Sequence, residues 1–181
     1  MRPTQTLMEE HRIILMVVEQ AELEAERIVR TANVDHARVE QMVDFFRNFA
    51  DRCHHRKEEE YLFKLLSAKP SARGPVVVML QEHEMGRGFL RSAQEGLRAR
   101  GQGNSAAARQ VAKALRDYAE LLRFHIAKEE QVLFPLAERI LTPSEEGELA
   151  TTFERVEEGE IGQGVHERYH GLAQELVGRK T

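Results

Sequence analysis

Two stretches of the chain, RCHHRKEEEYLFKLL at residues 52–66 and RFHIAKEEQVLFPLA at residues 123–137, are copies of one pattern. At a constant offset of 71 they share eight of fifteen residues, among them a histidine, two glutamates and a Leu-Phe pair. A comparison at offset 72 pairs Glu10-His11 with Glu82-His83. The sequence therefore predicts two helical hairpins related by approximate two-fold symmetry, each with a lone histidine followed by a His-x-x-x-Glu motif.

The first copy contains two overlapping motifs, since both His54 and His55 have a glutamate four residues later. Alignment of the two Leu-Phe pairs matches His54 with His125. We therefore choose His54/Glu58 as the counterpart of His125/Glu129. His55 is then expected on a neighbouring face, where a role as a nearby ligand or hydrogen-bonding group stays open.

The spacing of the motif has a chemical meaning. Residues four apart on a helix lie above one another on the same face, so each motif projects an imidazole and a carboxylate into the interior. A glutamate there can bridge two cations through its two oxygens. A set of imidazoles and carboxylates without thiolates suits iron or manganese better than structural zinc. The six candidate ligands are His11, His54, Glu58, His83, His125 and Glu129.

A coordination count leaves room for a further ligand. Two six-coordinate ions offer about twelve positions. Four histidines, two bridging glutamates and a bridging oxide or hydroxide fill about ten of them. His166, in the terminal segment VHERYH, could fill one of the remaining positions, and His170 is a weaker alternative on the same face. Glu59, Glu60 and Glu130 are expected on a solvated face, although one of them could contact the ligands.

The predicted fold class is all-α. Apolar residues recur at helical spacing in four long helices, over about 4–31, 35–67, 75–100 and 105–140. Short connections between them predict an up-down-up-down antiparallel four-helix bundle. Asp35 is predicted to cap the second helix, while Gly101 and Gly103 are predicted to end the third.

The last forty residues are predicted to be an addition to this bundle. Thr142 and Glu145 have the spacing of a capping box, with a proline at the first helical position. We therefore predict a bundle over residues 1–141, and a C-terminal helical extension packed on it over residues 142–181.

Composition and charge argue against nucleic-acid and membrane partners and indicate a cellular compartment. The formal net charge is -4 and the basic residues are scattered, so no nucleic-acid or anionic-membrane surface is predicted. No apolar run approaches the roughly 20 residues of a membrane span, and the N-terminus lacks the apolar core of a signal peptide. The single cysteine, Cys53, fits a reducing compartment. These observations predict a cytoplasmic protein.

The order of these motifs resembles the bacterial hemerythrin-like family, also called HHE cation-binding domains. The segments HHRKEEEYLF, QEHEMGR and FHIAKEEQVLFP carry the resemblance, which covers about residues 5–140. It implies a bundle around an oxo- or hydroxo-bridged di-iron centre with the six residues above as ligands. Oxygen-carrying hemerythrins have two histidines four residues apart on the third helix, whereas here His83 is followed by Arg87. Reversible oxygen storage is therefore not implied, and His166 could replace the missing ligand.

These observations lead to one main functional hypothesis and two alternatives. The main one is a di-iron protein that binds or senses dioxygen or a related small oxidant, such as peroxide or nitric oxide. A sensor would need a separate protein partner, because no signalling domain is recognisable in the sequence. The alternatives are a catalase-like or peroxidase-like di-iron enzyme and a protein for iron storage or donation.

Overall fold

Six helices make up the computed structural model, which describes residues 1–99, 105–162 and 164–178, and no strand occurs in those ranges. The all-α prediction is thereby confirmed. Gly101 and Gly103, which were expected to end the third helix, lie outside the described residues.

The first three helices carry the first hairpin and half of the second. The first helix is Pro3–Thr31, and the third is Arg73–Arg98. The second helix is continuous over residues 36–67 and includes four segments: α-helical His36–Phe45, π-helical Phe46–His55, π-helical Glu58–Leu62 and α-helical Phe63–Ser67.

The fourth helix runs over residues 105–140 and combines α-helical Ser105–Lys128, π-helical Glu129–Leu133 and α-helical Phe134–Ile140. The fifth helix, Pro143–Arg155, continues into a π-helical stretch, Val156–Gly162. The sixth helix is Val165–Gly178.

Two predicted caps are confirmed. The Asp35 carboxylate accepts a hydrogen bond from the backbone N–H of Arg38 at 3.1 Å, which begins the second helix. The hydroxyl of Thr142 accepts from the backbone N–H of Glu145, whose carboxylate accepts from the Thr142 backbone. This capping box begins the fifth helix immediately after the fourth helix ends.

The apolar core consists of two clusters at opposite ends of the bundle. Along the first helix, Leu7 belongs to one cluster and Ile14 to the other, and His11 lies between them. The fifth helix contributes Leu149 and Phe153 to the cluster around Leu7. The predicted ligands therefore form a polar layer with apolar side chains above and below.

The sixth helix is packed against the first and second helices, while the third and fourth helices are packed closely against each other. Tyr169, Ala173 and Leu176 of the sixth helix are buried in the cluster around Ile14. The Tyr169 hydroxyl donates a hydrogen bond to Asp44 of the second helix at 3.0 Å. Residues beyond the four long helices thus contribute to the core itself. Among the described residues, no helix combines the length and apolarity needed to span a membrane.

Two glycines allow the close approach of the third and fourth helices. A Cβ atom at Gly96 would lie 2.8 Å from Cγ2 of Val111 and 3.2 Å from the carbonyl oxygen of Ala107. At Gly86 it would lie 3.3 Å from the ring of the buried Tyr118. In contrast, a Cβ at Gly88 would meet only the flexible end of Arg91, at 3.8 Å.

We predict opposite effects for the same substitution at two glycines of the third helix. Gly96→Ala should lower the free energy of unfolding by about 1–3 kcal/mol, because the added methyl group overlaps Cγ2 of Val111 and presses on the backbone of the fourth helix. Gly88→Ala should raise it by about 0.5–1 kcal/mol through helix propensity alone. Urea titrations of both variants, followed by circular dichroism, measure these changes. Stabilisation by both substitutions would contradict the proposed close contact.

Candidate metal centre

Seven buried side chains from the four long helices meet in the polar layer, and among the described residues they form two groups that share Glu58. In each group the candidate ligand atoms lie within 4.8 Å of one another. The first group is His11, His54, Glu58 and Glu129. The second group is His55, Glu58, His83 and His125.

The structure brings all six residues of the repeated motifs together. It also adds His55, which was expected on a neighbouring face. The His55 ring stacks on His83, with 3.8 Å between ring centroids. The only sequence signal for this position is a second histidine directly after His54, where the other hairpin has Ile126.

A π-helical turn accounts for the position of His55. The segment Phe46–His55 has the wider turn of a π-helix, in which hydrogen bonds join residues five apart. Consecutive side chains then diverge less than in an α-helix, so His54 and His55 both reach the interior. A similar turn precedes Pro135 on the fourth helix, but Glu58–Leu62 forms the same turn without a proline. The proline is therefore not needed for it.

The structure does not bring His166 into either group. Its Nε2 lies 3.8 Å from Oε1 of Glu10, and its side chain is 38% exposed. Its ring packs at 5.1 Å from the ring of Phe49. His170, one turn further along the sixth helix, is exposed to solvent. His166 thus lies beside the layer rather than within it.

Glu58 and Glu129 each direct one oxygen toward each group. Glu58 Oε1 lies 3.4 Å from Nε2 of His54, and its Oε2 lies 3.5 Å from Nε2 of His83. Glu129 Oε2 lies 3.2 Å from Nε2 of His11, and its Oε1 lies 3.3 Å from Nε2 of His125. Each of the two glutamates therefore faces histidines of both groups.

These distances fit ligands arranged around an ion better than hydrogen bonds. With metal–nitrogen distances of about 2.1 Å, adjacent ligands of an octahedral ion lie about 3 Å apart. Among the described residues, both oxygens of Glu58, both oxygens of Glu129 and Nε2 of His11 are buried without a hydrogen-bond partner. Orphaned buried acceptors are costly, and a cation would satisfy all of them.

An outer ring of carboxylates fixes the tautomer of four of the five histidines in the layer. Each carboxylate accepts a hydrogen bond from Nδ1–H of one ring, which leaves the Nε2 lone pair free to face a cation. The four bonds join His11 to Glu130 at 3.0 Å, His54 to Glu10 at 2.8 Å, His83 to Glu59 at 2.7 Å and His125 to Glu82 at 2.9 Å. Glu59 and Glu130, expected on a solvated face, therefore orient ligands.

This ring follows the internal repeat. Glu10 and Glu82 each hold the motif histidine of their own hairpin, whereas Glu59 and Glu130 each hold the lone histidine of the other hairpin. A phenyl ring also stacks on each lone histidine, Phe134 on His11 and Phe63 on His83. The two-fold symmetry inferred from sequence thus extends to the groups that surround the ligands.

Two ring nitrogens face each other in the second group. Nε2 of His83 lies 2.9 Å from Nε2 of His125. Because both rings donate from Nδ1, a neutral pair would present two lone pairs to each other, unless a proton or a metal ion lies between them. The site residues therefore fit bound cations on the evidence of their own contacts.

Arg87 connects the outer ring to the second group. Its guanidinium donates to Asp51 at 2.9 Å and to Glu59 at 2.5 Å, so it holds both carboxylates together. Glu59 orients His83, and Asp51 lies 3.5 Å from Nδ1 of His55. Burial raises the pKa of Glu59, but His83 and Arg87 more than reverse that effect and lower it below its ordinary value.

The pKa values of the buried site residues depend on burial and on the charges of their neighbours. Burial, reinforced by the negative charge of Glu129, raises the pKa of Glu58 well above its ordinary value. Burial alone would lower the pKa of His125, but Glu129 and Glu82 reverse the sign and raise it to about 9. For His54, burial and then the neighbouring His11 lower the pKa. Without a cation, the site therefore retains protons near the two glutamates.

We predict that the metal-free protein loses stability between pH 7 and pH 9. His125 has a folded pKa of about 9 against 6.5 for the ordinary imidazole, so its stabilising contribution is complete below pH 6.5 and disappears as the pH approaches 9. The pKa of Glu58 is also raised, so its titration likewise lowers the free energy of unfolding as the pH rises. Each proton held only by the folded state contributes about 1.4 kcal/mol per pH unit. Urea unfolding at pH 7, 8 and 9 measures this slope. Glu129→Gln should flatten it, and a pH-independent free energy in the unsubstituted protein would contradict the assignment.

We further predict that Arg87→Ala weakens cation binding by about 10-fold, because it releases Glu59, which orients His83, and Asp51, which lies beside His55. Arg91→Ala is the matched control, since Arg91 donates to the exposed Glu84 at 2.9 Å instead. Anaerobic Fe²⁺ titrations of both variants give the affinities. Equal affinities in the two variants would show that Arg87 does not position the ligands.

The comparisons with known proteins agree with this geometry. A family model described as the hemerythrin HHE cation binding domain matches residues 2–137, which include all seven residues of the two groups. No curated protein and no solved structure shows a significant match to the chain. The family match covers about three quarters of the sequence, and the metal-ligand geometry lies within it. This chain is a member of the hemerythrin HHE cation-binding domain family.

Proposed function

We propose that the two groups hold two iron ions, and that the protein binds or senses dioxygen or a related small oxidant such as peroxide or nitric oxide. The observation that carries the proposal is the pair of buried glutamates, Glu58 and Glu129, each with one oxygen toward each group. A pair of irons supplies electrons to a small oxidant and a coordination position for it.

The donor set supports iron over other cations. Five imidazoles and two carboxylates, with no thiolate among them, suit iron better than magnesium or calcium, which prefer oxygen ligands. Cys53 is buried outside both groups, and burial followed by the charge of Glu10 raises its pKa to about 12. A thiolate ligand is therefore not offered at this layer.

An asymmetry in the repeat supports binding of an exogenous molecule at the first group. The second group has three imidazoles, whereas the first has two. The residue equivalent to His55 in the other hairpin is Ile126, which is buried and offers no ligand atom. An apolar side chain at that position suits a small uncharged molecule better than an ion. The arrangement therefore favours dioxygen or nitric oxide as the molecule that is bound.

The chain's own residues have definable roles in such a site. The outer carboxylates keep a proton on Nδ1 of the ligand rings, and Phe63 and Phe134 flank the layer on the side of the Leu7 cluster. Apolar residues on both sides exclude bulk water, so that charge interactions within the layer are weakly screened. A separate protein partner would receive the signal if the protein is a sensor.

Iron loading of the full chain tests the proposal. We expect about two irons per chain, and an absorption spectrum that changes on exposure to dioxygen or nitric oxide. His55→Ala should lower the iron content to about one, because it removes an imidazole from the second group. His166→Ala should retain both irons with an unchanged spectrum, since His166 lies outside both groups.

The same preparation distinguishes the alternatives. Rapid oxygen evolution from peroxide would favour a catalase-like enzyme over a binding protein. Transfer of iron to an apo acceptor would favour storage or donation. If the protein is purified under iron-replete conditions and contains no transition metal, the proposed function is contradicted altogether. Loss of iron in His166→Ala, together with full retention in His55→Ala, would reverse the ligand assignment.

A further inference from the structure

Lys57 is a fully buried lysine next to the metal layer. Its side chain is 0% exposed, and its Nζ donates hydrogen bonds to Glu10 of the first helix and to Glu157, which follows the fifth helix. Its ammonium group also lies 5.7 Å from the centroid of the Phe153 ring. Two of these three partners belong to the C-terminal segment, which lies beyond the matched family region.

Glu10 links Lys57 to His54, one of the proposed ligands. One oxygen of Glu10 accepts from Lys57, and the other accepts from Nδ1–H of His54 at 2.8 Å. Glu10 is 1% exposed, so these bonds are not in competition with bulk water. A continuous chain of charged contacts therefore runs from Glu157 through Lys57 and Glu10 to His54.

The internal repeat provides a comparison within the same molecule. Lys128, Glu82 and His125 repeat the arrangement of Lys57, Glu10 and His54 in the other hairpin. However, the Lys128 side chain is 42% exposed, whereas the Lys57 side chain is covered by Phe153 and Glu157. The C-terminal segment thus covers one lysine of the pair and leaves the other open to solvent.

Burial makes the Lys57 contacts strong and mutually dependent. Burial by itself would lower the pKa of Lys57, but Glu10, Cys53 and Glu157 reverse the effect and raise it above its ordinary value. The ammonium group therefore stays charged, and it needs both carboxylates because a buried charge with one partner removed is strongly destabilised. If Glu157 were absent, Lys57 and Glu10 would rearrange, and His54 would lose its fixed orientation.

We propose that the C-terminal segment is a positioning part of the metal centre, in which Glu157 acts through Lys57 and Glu10 to hold His54 toward the first group. The inference rests on the proposed function, because it concerns the retention of the two ions assigned there. It gives the stretch from Phe153 to Glu157 a role specific to one ion. The ion of the second group depends instead on the exposed Lys128 and on Glu82.

Release of iron to a chelator tests this role in the full-length, iron-loaded chain. We expect two phases of release in the unsubstituted protein, one for each ion. Glu157→Ala should accelerate one phase about 10-fold and leave the other unchanged. Glu158→Ala is the matched control, since it removes the same charge from the next residue, which is exposed. Lys128→Met should accelerate the other phase and so identify it as the second group.

A double variant separates positioning from a general loss of packing. In a Glu10→Gln background, Glu157→Ala should cause no further acceleration, because both residues act through the same contact with His54. The free energy of unfolding of the metal-free protein should fall more in Glu157→Ala than in Glu158→Ala, because Lys57 loses a buried partner, but this loss should leave the release phase of the second group unchanged.

Two results would overturn the inference. One is identical release from Glu157→Ala and the unsubstituted protein. The other is equal acceleration of both phases in step with a loss of metal-free stability, which would indicate a structural role alone. Failure of the unsubstituted protein to bind an iron pair would instead contradict the proposed function, so the two failures are distinguishable.

Discussion

Two carboxylates that lie buried in the interior, with no hydrogen-bond donor to either among the residues that the structure describes, are the constraint on which the rest of this structure depends. Glu58 and Glu129 lie at the centre of a bundle, in a layer that otherwise contains imidazole rings. Such a pair is unfavourable in a protein interior unless positive charge lies between or beside its members. Layers of different character surround it: imidazole rings first, then an outer ring of carboxylates, and then the cationic groups of Lys57, Lys128 and Arg87.

This layering explains why charged residues of the outer layers occupy positions that would otherwise look like solvent-exposed helix faces. Glu59 and Glu130 are partly exposed, yet each fixes the lone histidine of the opposite hairpin. The charge of Glu59 is in turn balanced by the guanidinium of Arg87, which donates a hydrogen bond to it. The buried carboxylates at the centre lower the stability of the metal-free fold, and a bound cation would compensate for that loss.

The sequence was sufficient to predict that the six residues of the repeated motifs come together, because two copies of one hairpin must place equivalent residues at equivalent positions. His55 could not be predicted in the same way. Helical periodicity assumes hydrogen bonds between residues four apart, and the π-helical turn at Phe46–His55 changes that periodicity. The position of His166 depended on how the sixth helix docks, which Tyr169 determines through its contacts with Phe45 and Asp44. Neither contact has a signature in the local sequence.

The unequal histidine content of the two groups has a consequence for how the centre is assembled. If three imidazoles hold one ion and two hold the other, a limited supply of metal fills the richer position first. The shared Glu58 would then be partly neutralised before the second ion arrives, which weakens the electrostatic attraction on that ion. After the first ion has bound and before the second arrives, the vacant position can take up a different metal. A chain made when iron is scarce would accordingly carry a single ion or a mixed pair, and the identity of the second ion would be decided at the position that has Ile126 as its neighbour in the repeat.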